Sequence, residues 1–160
     1  MTSPQTTDPI SPVQQPKLEL RAVPVEEVRP LRGIVLRPGQ SAEQLIWDDD
    51  DHPDALHIAA FVGGEMVGIG TILPQSHEQE GADGWRIRGM ATLPVARGTG
   101  VGGAVLEHCM THAEACGARY IWCNARIKAL PLYERRGFAT VGDVFEPPEI
   151  GPHYRMVKFL

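Results

Sequence analysis

The sequence lacks any hydrophobic run long enough to cross a membrane, since its longest apolar stretches, such as residues 58–62, are only a few residues long. We therefore expect no membrane partner. Cysteines are few: Cys109, Cys116 and Cys123 are an odd number without CxxC spacing, which predicts neither a disulfide framework nor a zinc knuckle. The first sixteen residues contain no basic region, apolar region or arginine, so they do not resemble a secretory signal or a transit peptide. These absences favour the reducing cytoplasm.

The sequence also has no excess of positive charge. Lys and Arg total 15 against 20 Asp and Glu, which gives a net charge of −5 at pH 7. Because no general basic field is present, we expect no nucleic-acid partner. The charge is unevenly distributed, however: residues 40–84 are acid-rich, whereas residues 86–136 are rich in arginine. This asymmetry suits an anionic small ligand at the basic half, and a cationic one opposite.

What is present predicts one folded unit, because 42% of the residues are apolar and 22% are charged. Residues 1–16, rich in Pro, Thr, Ser and Gln, are expected to be a disordered tail, and residues 17–160 a single domain. Apolar alternation and helical spacing then predict the elements in turn. Strands are expected near 17–23, 55–62, 65–73, 85–93, 118–124, 138–145 and 153–160, and helices near 24–36, 41–47, 100–116 and 130–136.

This order predicts an α/β fold with a mixed, mostly antiparallel twisted sheet of six to seven strands, flanked by about four helices. Gly63 and Gly64 between the second and third strands indicate a two-residue hairpin. The strand, helix and strand over residues 85–124 form one central β-α-β unit, whose strands should be parallel.

A glycine-rich segment between that strand and helix is the sharpest feature of the sequence. It reads Arg97-Gly98-Thr99-Gly100-Val101-Gly102-Gly103. Glycines let the backbone approach a ligand closely, the helix that follows supplies free N–H groups, and the arginine adds a positive charge. The segment therefore predicts a phosphate or pyrophosphate site, with a tight connection that holds no ligand as the alternative.

Two common nucleotide motifs do not fit this segment. The glycines match GxGxxG formally, but the following strand ends at Asn124-Ala125 without the acidic residue of a dinucleotide site. No Gly-Lys-Ser/Thr follows either, which excludes a Walker loop. The phosphate ligand is therefore of another kind.

Residues 85–138 resemble the core of the GNAT superfamily of acyl-CoA-dependent N-acyltransferases. The resemblance rests on Arg97, Gly100 and Gly102 of the Arg/Gln-x-x-Gly-x-Gly/Ala signature, followed by Leu132-Tyr133 and Gly137-Phe138 at the end of the next helix. It implies a small bacterial stand-alone N-acetyltransferase of GNAT-type fold. It also implies acetyl-CoA as the acyl donor, an amine acceptor as the second substrate, and no metal.

The resemblance also implies roles for individual residues. The backbone of Arg97, Gly98, Thr99, Gly100, Val101, Gly102 and Gly103 would cradle the CoA pyrophosphate, and the strand at Met90, Ala91 and Thr92 would hydrogen-bond the pantetheine arm. That strand would separate from its neighbour, and a backbone N–H near Met90 would polarise the acyl carbonyl. Tyr133 would protonate the leaving thiolate. Asn124 either binds cofactor or caps its strand.

One position departs from the family pattern. Arg126 stands seven residues before Tyr133, where many members have Asn. Arg126 and Lys128 are then candidates for the ribose 3′-phosphate of CoA, with a solvated surface as the alternative.

The acceptor side is less defined. An amine must lose a proton, and Glu146, Glu149 and His153 are the candidates for the base. The acidic run over residues 47–54 either attracts a cationic acceptor or forms a solvated loop. Arg86 and Arg88 share one face of their strand, where they either contact an anionic acceptor or lie in water.

The sequence therefore predicts an enzyme that moves an acetyl group from acetyl-CoA to a primary amine by direct attack. The three cysteines occupy core-like positions, so none is expected to be a nucleophile. Two alternatives stay open: a non-catalytic acyl-CoA-binding sensor of the same fold, and a structural protein with a vacant glycine turn. A homodimer is expected by analogy with the family alone.

Overall fold

The computed structural model describes residues 17–148 and 150–160. The predicted tail over residues 1–16 and the candidate base Glu149 lie outside the described residues. Among the helices described, none is sufficiently long and apolar to span a membrane.

A seven-stranded sheet forms the centre of the molecule. Its strands lie in the order β1-β2-β3-β4-β5-β7-β6. Every neighbouring pair is antiparallel except β4 and β5, which are parallel, so the predicted mixed sheet is confirmed. The strands are β1 Leu18–Ala22, β2 Leu56–Val62, β3 Glu65–Pro74, β4 Gly84–Thr92, β5 Tyr120–Arg126, β6 Ala139–Phe145 and β7 His153–Phe159.

Three α-helices accompany the sheet in the described part of the chain: α1 Val25–Leu31, α2 Val101–Ala115 and α3 Leu130–Glu134. Helix α1 continues as a π-helical turn over Arg32–Leu36. The helix expected over residues 41–47 is wrong, because only one 3-10 turn forms there, at Glu43–Leu45. Leu45 is the one buried side chain of that turn, so there is too little apolar contact to stabilise a longer helix.

The sheet is covered on both faces. Helix α2 packs on one face, and its predicted apolar residues, from Val101 to Ala113, are buried there. Helix α1 packs on the other face, where Val28 and Leu31 lie against Ala59, Ile69 and other residues of the sheet. Each helix buries one face because its apolar residues recur at helical spacing and therefore all point toward the sheet.

The cysteine expectation is confirmed in part. Cys109 of α2 and Cys123 of β5 are buried in the core. Cys116 is exposed, since α2 ends one residue earlier, at Ala115.

Strands β4 and β5 separate at the middle of the sheet. They pair only from Gly84↔Tyr120 to Arg86↔Trp122. Beyond that point β4 stays paired with β3, whereas β5 stays paired with β7. A parallel pair that opens in this way leaves a slot between its two strands.

A β-bulge in β4 lies beside the slot. Gly89 and Met90 together oppose one residue of β3, because the register passes from Arg88↔Thr71 to Ala91↔Ile69. Gly89 has φ +65°, which favours glycine, and a Cβ atom there would lie 3.1 Å from the Trp47 ring. The bulge therefore depends on a residue without a side chain.

Candidate active site

A cleft of about 1010 Å³ occupies the opening between β4 and β5. Its walls are residues 86–92 of β4, residues 124–126 of β5, and residues of α3. Residues 35–37 and 46–49 close one side, and residues of the segment before β7 close the other. The cleft thus lies between elements far apart in the sequence.

Eight of the residues expected at the site line this one cleft: Met90, Ala91, Thr92, Arg97, Gly102, Asn124, Tyr133 and His153. The other residues expected at the site do not line it: Gly98, Thr99, Gly100, Val101, Gly103 and Glu146. Glu146 is exposed. The first five of these belong to the glycine segment at the rim and to the first turn of α2.

The glycine segment begins helix α2. Gly98 and Gly100 have φ of +78° and +88°, and a Cβ atom at either position would meet no other atom within 4 Å. Gly100 is the N-cap of α2, and no side chain caps this helix end. Arg97 is held beside it, since its Nε donates to the Thr92 carbonyl at 3.3 Å. Uncapped N–H groups, a helix N-terminus and a guanidinium together suit a phosphate group.

Tyr133 lies at the inner wall of the cleft and is 4% exposed. Its ring packs edge-on against Phe138, with the centroids 5.5 Å apart. Burial, together with the neighbouring Cys123 and Cys109 thiols, raises the pKa of the Tyr133 hydroxyl well above its usual value. The hydroxyl therefore stays protonated and can donate a proton.

The two buried cysteines are poor nucleophiles. Burial raises the pKa of Cys109 to about 12. Burial also raises the pKa of Cys123, although the charge of Arg86 and a hydrogen bond with Tyr133 oppose this effect. Because the thiolate is the reactive form, neither side chain is suited to form an acyl-enzyme.

His153 lies at the opposite wall and is 5% exposed. Its Nδ1 lies 2.7 Å from the Gly151 carbonyl oxygen. A carbonyl only accepts hydrogen bonds, so Nδ1 carries the proton in neutral imidazole and Nε2 has the free lone pair. Such an imidazole can accept a proton at Nε2.

An ion-pair cluster beneath the cleft was not expected from the sequence. Asp50 is 3% exposed, and Arg32 is fully buried. The two side chains form a bidentate pair, with N···O distances of 2.7 and 3.1 Å. Arg88 Nη2 donates to the same carboxylate at 3.0 Å. The expectation of a solvated acidic loop is therefore wrong for Asp50.

Charge and hydrogen bonding keep Asp50 ionised. Burial opposes its ionisation, but the hydrogen bond and positive charge of Arg32 outweigh burial and lower the pKa of the carboxyl. The backbone N–H of Trp47 also donates to Asp50, at 3.1 Å, and the Arg32 guanidinium lies 3.9 Å above the Trp47 ring. The cluster thus fixes the segment over residues 46–49 against β4.

One sequence signal does point to Arg32: it follows Val28 by four residues, on the buried face of α1.

The arginines of the cleft are not in bulk water either. Arg88 is tied to Asp50 and to the Asp48 carbonyl, and Arg86 lies over the Trp122 ring at 4.8 Å. Arg126 Nη2 donates to the Leu36 carbonyl at 2.9 Å. The solvated alternative is wrong for all three, whereas Lys128 is exposed at the rim.

The fold and this cleft define a class of protein, and comparison with known proteins agrees. Residues 25–138 match the sequence model described as the acetyltransferase (GNAT) family. That match covers more than half of the chain, so the protein belongs to the GNAT acetyltransferase family. It is an acyl-CoA-dependent acetyltransferase.

One curated relative extends over nearly the whole chain. It is described as the uncharacterized N-acetyltransferase YitI of Bacillus subtilis (strain 168). The two sequences are 33% identical over 144 residues, which cover 89% of this chain and 97% of the relative.

Solved structures share the fold at lower identity. Escherichia coli ElaA superposes with a TM-score of 0.71 at 20% identity, over 89% of this chain and 99% of that one. A chain from the structure of the NatC complex bound to Gag peptide and CoA gives a TM-score of 0.74 at 15% identity, over 90% of this chain and 99% of its own. These two structures are similar in fold.

Proposed function

We propose that the protein transfers the acetyl group of acetyl-CoA to a primary amine by direct attack on the thioester. The proposal rests on three features that converge on one cleft: a buried protonated tyrosine, a histidine whose Nδ1 is paired with a backbone carbonyl, and the opening between β4 and β5. The tyrosine and the histidine supply the acid and the base that this reaction needs.

The donor half of the cleft lies toward the glycine segment. The backbone from Arg97 to Gly103 binds the pyrophosphate. The uncapped start of α2 supports this, as does the open space that a Cβ atom at Gly98 or Gly100 would find among the described residues. Strand β4 at Met90–Thr92 binds the pantetheine arm as an added strand would. Asn124, across the opening on β5, contacts the same arm.

The reaction forms one C–N bond and breaks one C–S bond. The amine nitrogen attacks the thioester carbonyl, whose oxygen accepts a hydrogen bond from a backbone N–H of the bulge, where Gly89 and Met90 have no regular partner on β3. The C–S bonding pair leaves with sulfur, and the Tyr133 hydroxyl gives the thiolate a proton. The nitrogen loses its proton to His153 Nε2.

Of the two candidate bases that lie among the described residues, the geometry favours His153. It lines the cleft with a free lone pair, whereas Glu146 is exposed and outside the lining. Glu146 then acts at most through water, as an acceptor for the proton that the histidine releases.

The proposal is tested by incubating the protein with acetyl-CoA and a panel of primary amines, with free thiol and acetylated product both measured. We expect thiol release only with an amine present, and a product heavier by one acetyl group. An acetylated protein trapped with acetyl-CoA alone, able to pass its acetyl group to an amine, would overturn direct attack. A product acetylated on oxygen would overturn the choice of amine.

Two expectations about the setting of the protein accompany this proposal. The three cysteines are free in the structure, which supports a reducing compartment such as the cytoplasm. A homodimer is the expected assembly by family analogy, and light scattering of the purified protein checks it.

A further inference from the structure

Three arginines share the buried carboxylate of Asp50, and a fourth lies beside them on β4. Arg32, Arg88 and Arg29 contact Asp50 at 2.7, 3.0 and 3.7 Å. Arg86 lies next to Arg88 on β4, and the charge of Arg88 adds to burial in lowering the Arg86 pKa. The single charge of Asp50 is therefore shared by three guanidinium groups, and Arg86 adds a further positive charge beside them.

The hydrogen-bonding capacity of these arginines is also incompletely used. The Nε atoms of all four are buried and have no hydrogen-bond acceptor among the described residues. Arg86 forms no ion pair with any described carboxylate. The Nε of Arg86 is buried without a described acceptor, which is costly for a charged group, and an anion that accepts from it would remove this cost.

Arg86 occupies the closed end of the opening. The last pair between β4 and β5 is Arg86↔Trp122, so this side chain stands where the strands begin to diverge. From Arg86 to Thr92, beside the glycine segment, a strand extends about 20 Å. A pyrophosphate held at that segment lies far from Arg86, so the CoA phosphates do not neutralise it.

The other charged residues of the lining are also mainly basic. Arg37 Nη1 and Arg126 Nη2 each donate to the same Leu36 carbonyl at 2.9 Å. Two positively charged side chains therefore share one uncharged acceptor, the Leu36 carbonyl oxygen. The carboxylates in the lining are Asp48 and Asp49, both in the segment that Asp50 anchors.

We propose that the acceptor is a primary amine that carries an anionic group, a carboxylate or a phosphate, and that Arg86 binds this group. The inference rests on the proposed function, whose acceptor it specifies. Arg86 lies three residues before the bulge, about 10 Å along β4, so its side chain would hold the anionic group on the closed side of the point of attack. Cationic acceptors such as polyamines, which the acidic run over residues 47–54 suggested, are then poor substrates.

A first experiment measures binding without turnover. The complex of the protein with CoA is titrated calorimetrically with N-acetylglycine, N-acetyl-β-alanine and N-acetylphosphoethanolamine, and with the carboxamide or hydroxyl analogue of each. We expect at least one anionic compound to bind tenfold or more tightly than its uncharged analogue. The carboxylate and phosphate arms identify which anion is preferred. Equal binding within every pair, or no binding by any anionic compound, would overturn the inference.

A second experiment uses Arg86→Gln and the parent amines. Because a charge-assisted hydrogen bond contributes about 1.5–3 kcal/mol, kcat/KM for the preferred anionic amine should fall roughly tenfold or more, while its uncharged analogue changes little. Arg86→Lys keeps the positive charge but loses the paired N–H donors of the guanidinium, so it should retain part of the preference for anionic amines. Arg135→Gln, at an exposed arginine outside the cleft, is the matched control.

The two proposals fail differently. A preference for anionic amines that persists in Arg86→Gln, or better use of polyamines by the wild type, would contradict the role of Arg86 while leaving acetyl transfer intact. Absence of any acetyl-CoA binding would contradict the proposed function itself.

Discussion

Burial determines the protonation and orientation of single side chains at this site. Burial raises the pKa of the Tyr133 hydroxyl well above its usual value, so the hydroxyl is protonated before the reaction. His153 is held as one tautomer by a backbone carbonyl. The fold therefore holds the proposed acid and the proposed base in place on one cleft.

We predict that Tyr133→Phe lowers kcat by about 10²-fold, because the thiolate must then leave without its proton donor. The affinity for acetyl-CoA should change little, since the aromatic ring and its packing on Phe138 remain. Steady-state kinetics and calorimetry of the same preparation measure both quantities.

Tyr120→Phe is the matched control for that variant. The Tyr120 hydroxyl bonds to the backbone of His77 and Gly81, away from the cleft, so its loss should cost about 1 kcal/mol of stability and leave kcat nearly intact. An unchanged kcat in Tyr133→Phe would remove the tyrosine from the mechanism.

The sequence predicts some of these residues and misses others for a physical reason. Tyr133 and His153 belong to short motifs whose residue types already suggest chemistry. Asp50 lies in a run of four aspartates, and nothing local distinguishes it from its neighbours. Its burial comes from Arg32 and Arg88 on separate elements, so only the folded chain shows it.

At the scale of elements, the proposed binding of the acyl donor depends on the start of α2. Gly100 has φ +88° at the N-terminus, and Gly117 has φ +87° just beyond the C-terminus. Both positions favour glycine equally, yet only one of them adjoins the cleft. Substitutions at Gly100 and Gly117 should therefore cause similar backbone strain, but only the one at Gly100 should affect ligand binding.

We predict that Gly100→Glu raises the KM for acetyl-CoA at least tenfold, because its side chain and charge would occupy the phosphate site. Gly117→Glu should lose similar stability, about 1 kcal/mol from the left-handed conformation, but keep the wild-type KM. Thermal unfolding and thiol-release kinetics measure the two effects. Equal KM values in the two variants would contradict a phosphate site at this helix end.

Elements differ in how far their sequence defines them. Helix α2 was predicted almost to its ends, because its apolar spacing and the flanking glycines are local signals. The bulge at Gly89 was not predicted, since it exists only relative to the register of β3. The separation of β4 from β5 likewise depends on β7 pairing with β5, which no local pattern specifies.

At the scale of the whole molecule, the buried cluster around Asp50 links the segment over residues 46–49 to the sheet. The same cluster makes the stability of the fold depend on pH. His57 Nδ1 lies 2.8 Å from Thr71 Oγ1, and its Nε2 lies 2.9 Å from the Asp50 carbonyl oxygen. Burial lowers the pKa of His57, the hydrogen bond to Asp50 opposes this, and the charge of Arg32 lowers it further. The folded protein thus keeps this imidazole neutral.

We predict that the free energy of unfolding decreases as the pH falls below about 6.5, the ordinary histidine value. In that range His57 binds a proton in the unfolded chain but stays neutral in the folded protein. The stabilisation present above pH 6.5 is therefore lost as the pH falls toward the lowered pKa of folded His57. His57→Gln should reduce this slope, by at most about 1.4 kcal/mol per pH unit. Urea denaturation across the range measures it.

The exposed His108 supplies the comparison for that titration. His108→Gln should leave the slope of stability against pH as in the wild type. A slope that survives in His57→Gln would show that other groups cause the pH dependence.

Calorimetric titration of the purified protein with acetyl-CoA tests the central claim most directly, namely that the cleft between β4 and β5 holds this acyl donor. We expect one binding site per chain with micromolar affinity, and little or no heat for Gly100→Glu under the same conditions. No binding by the wild type at high micromolar acetyl-CoA would contradict it, and the glycine segment would then be only a turn.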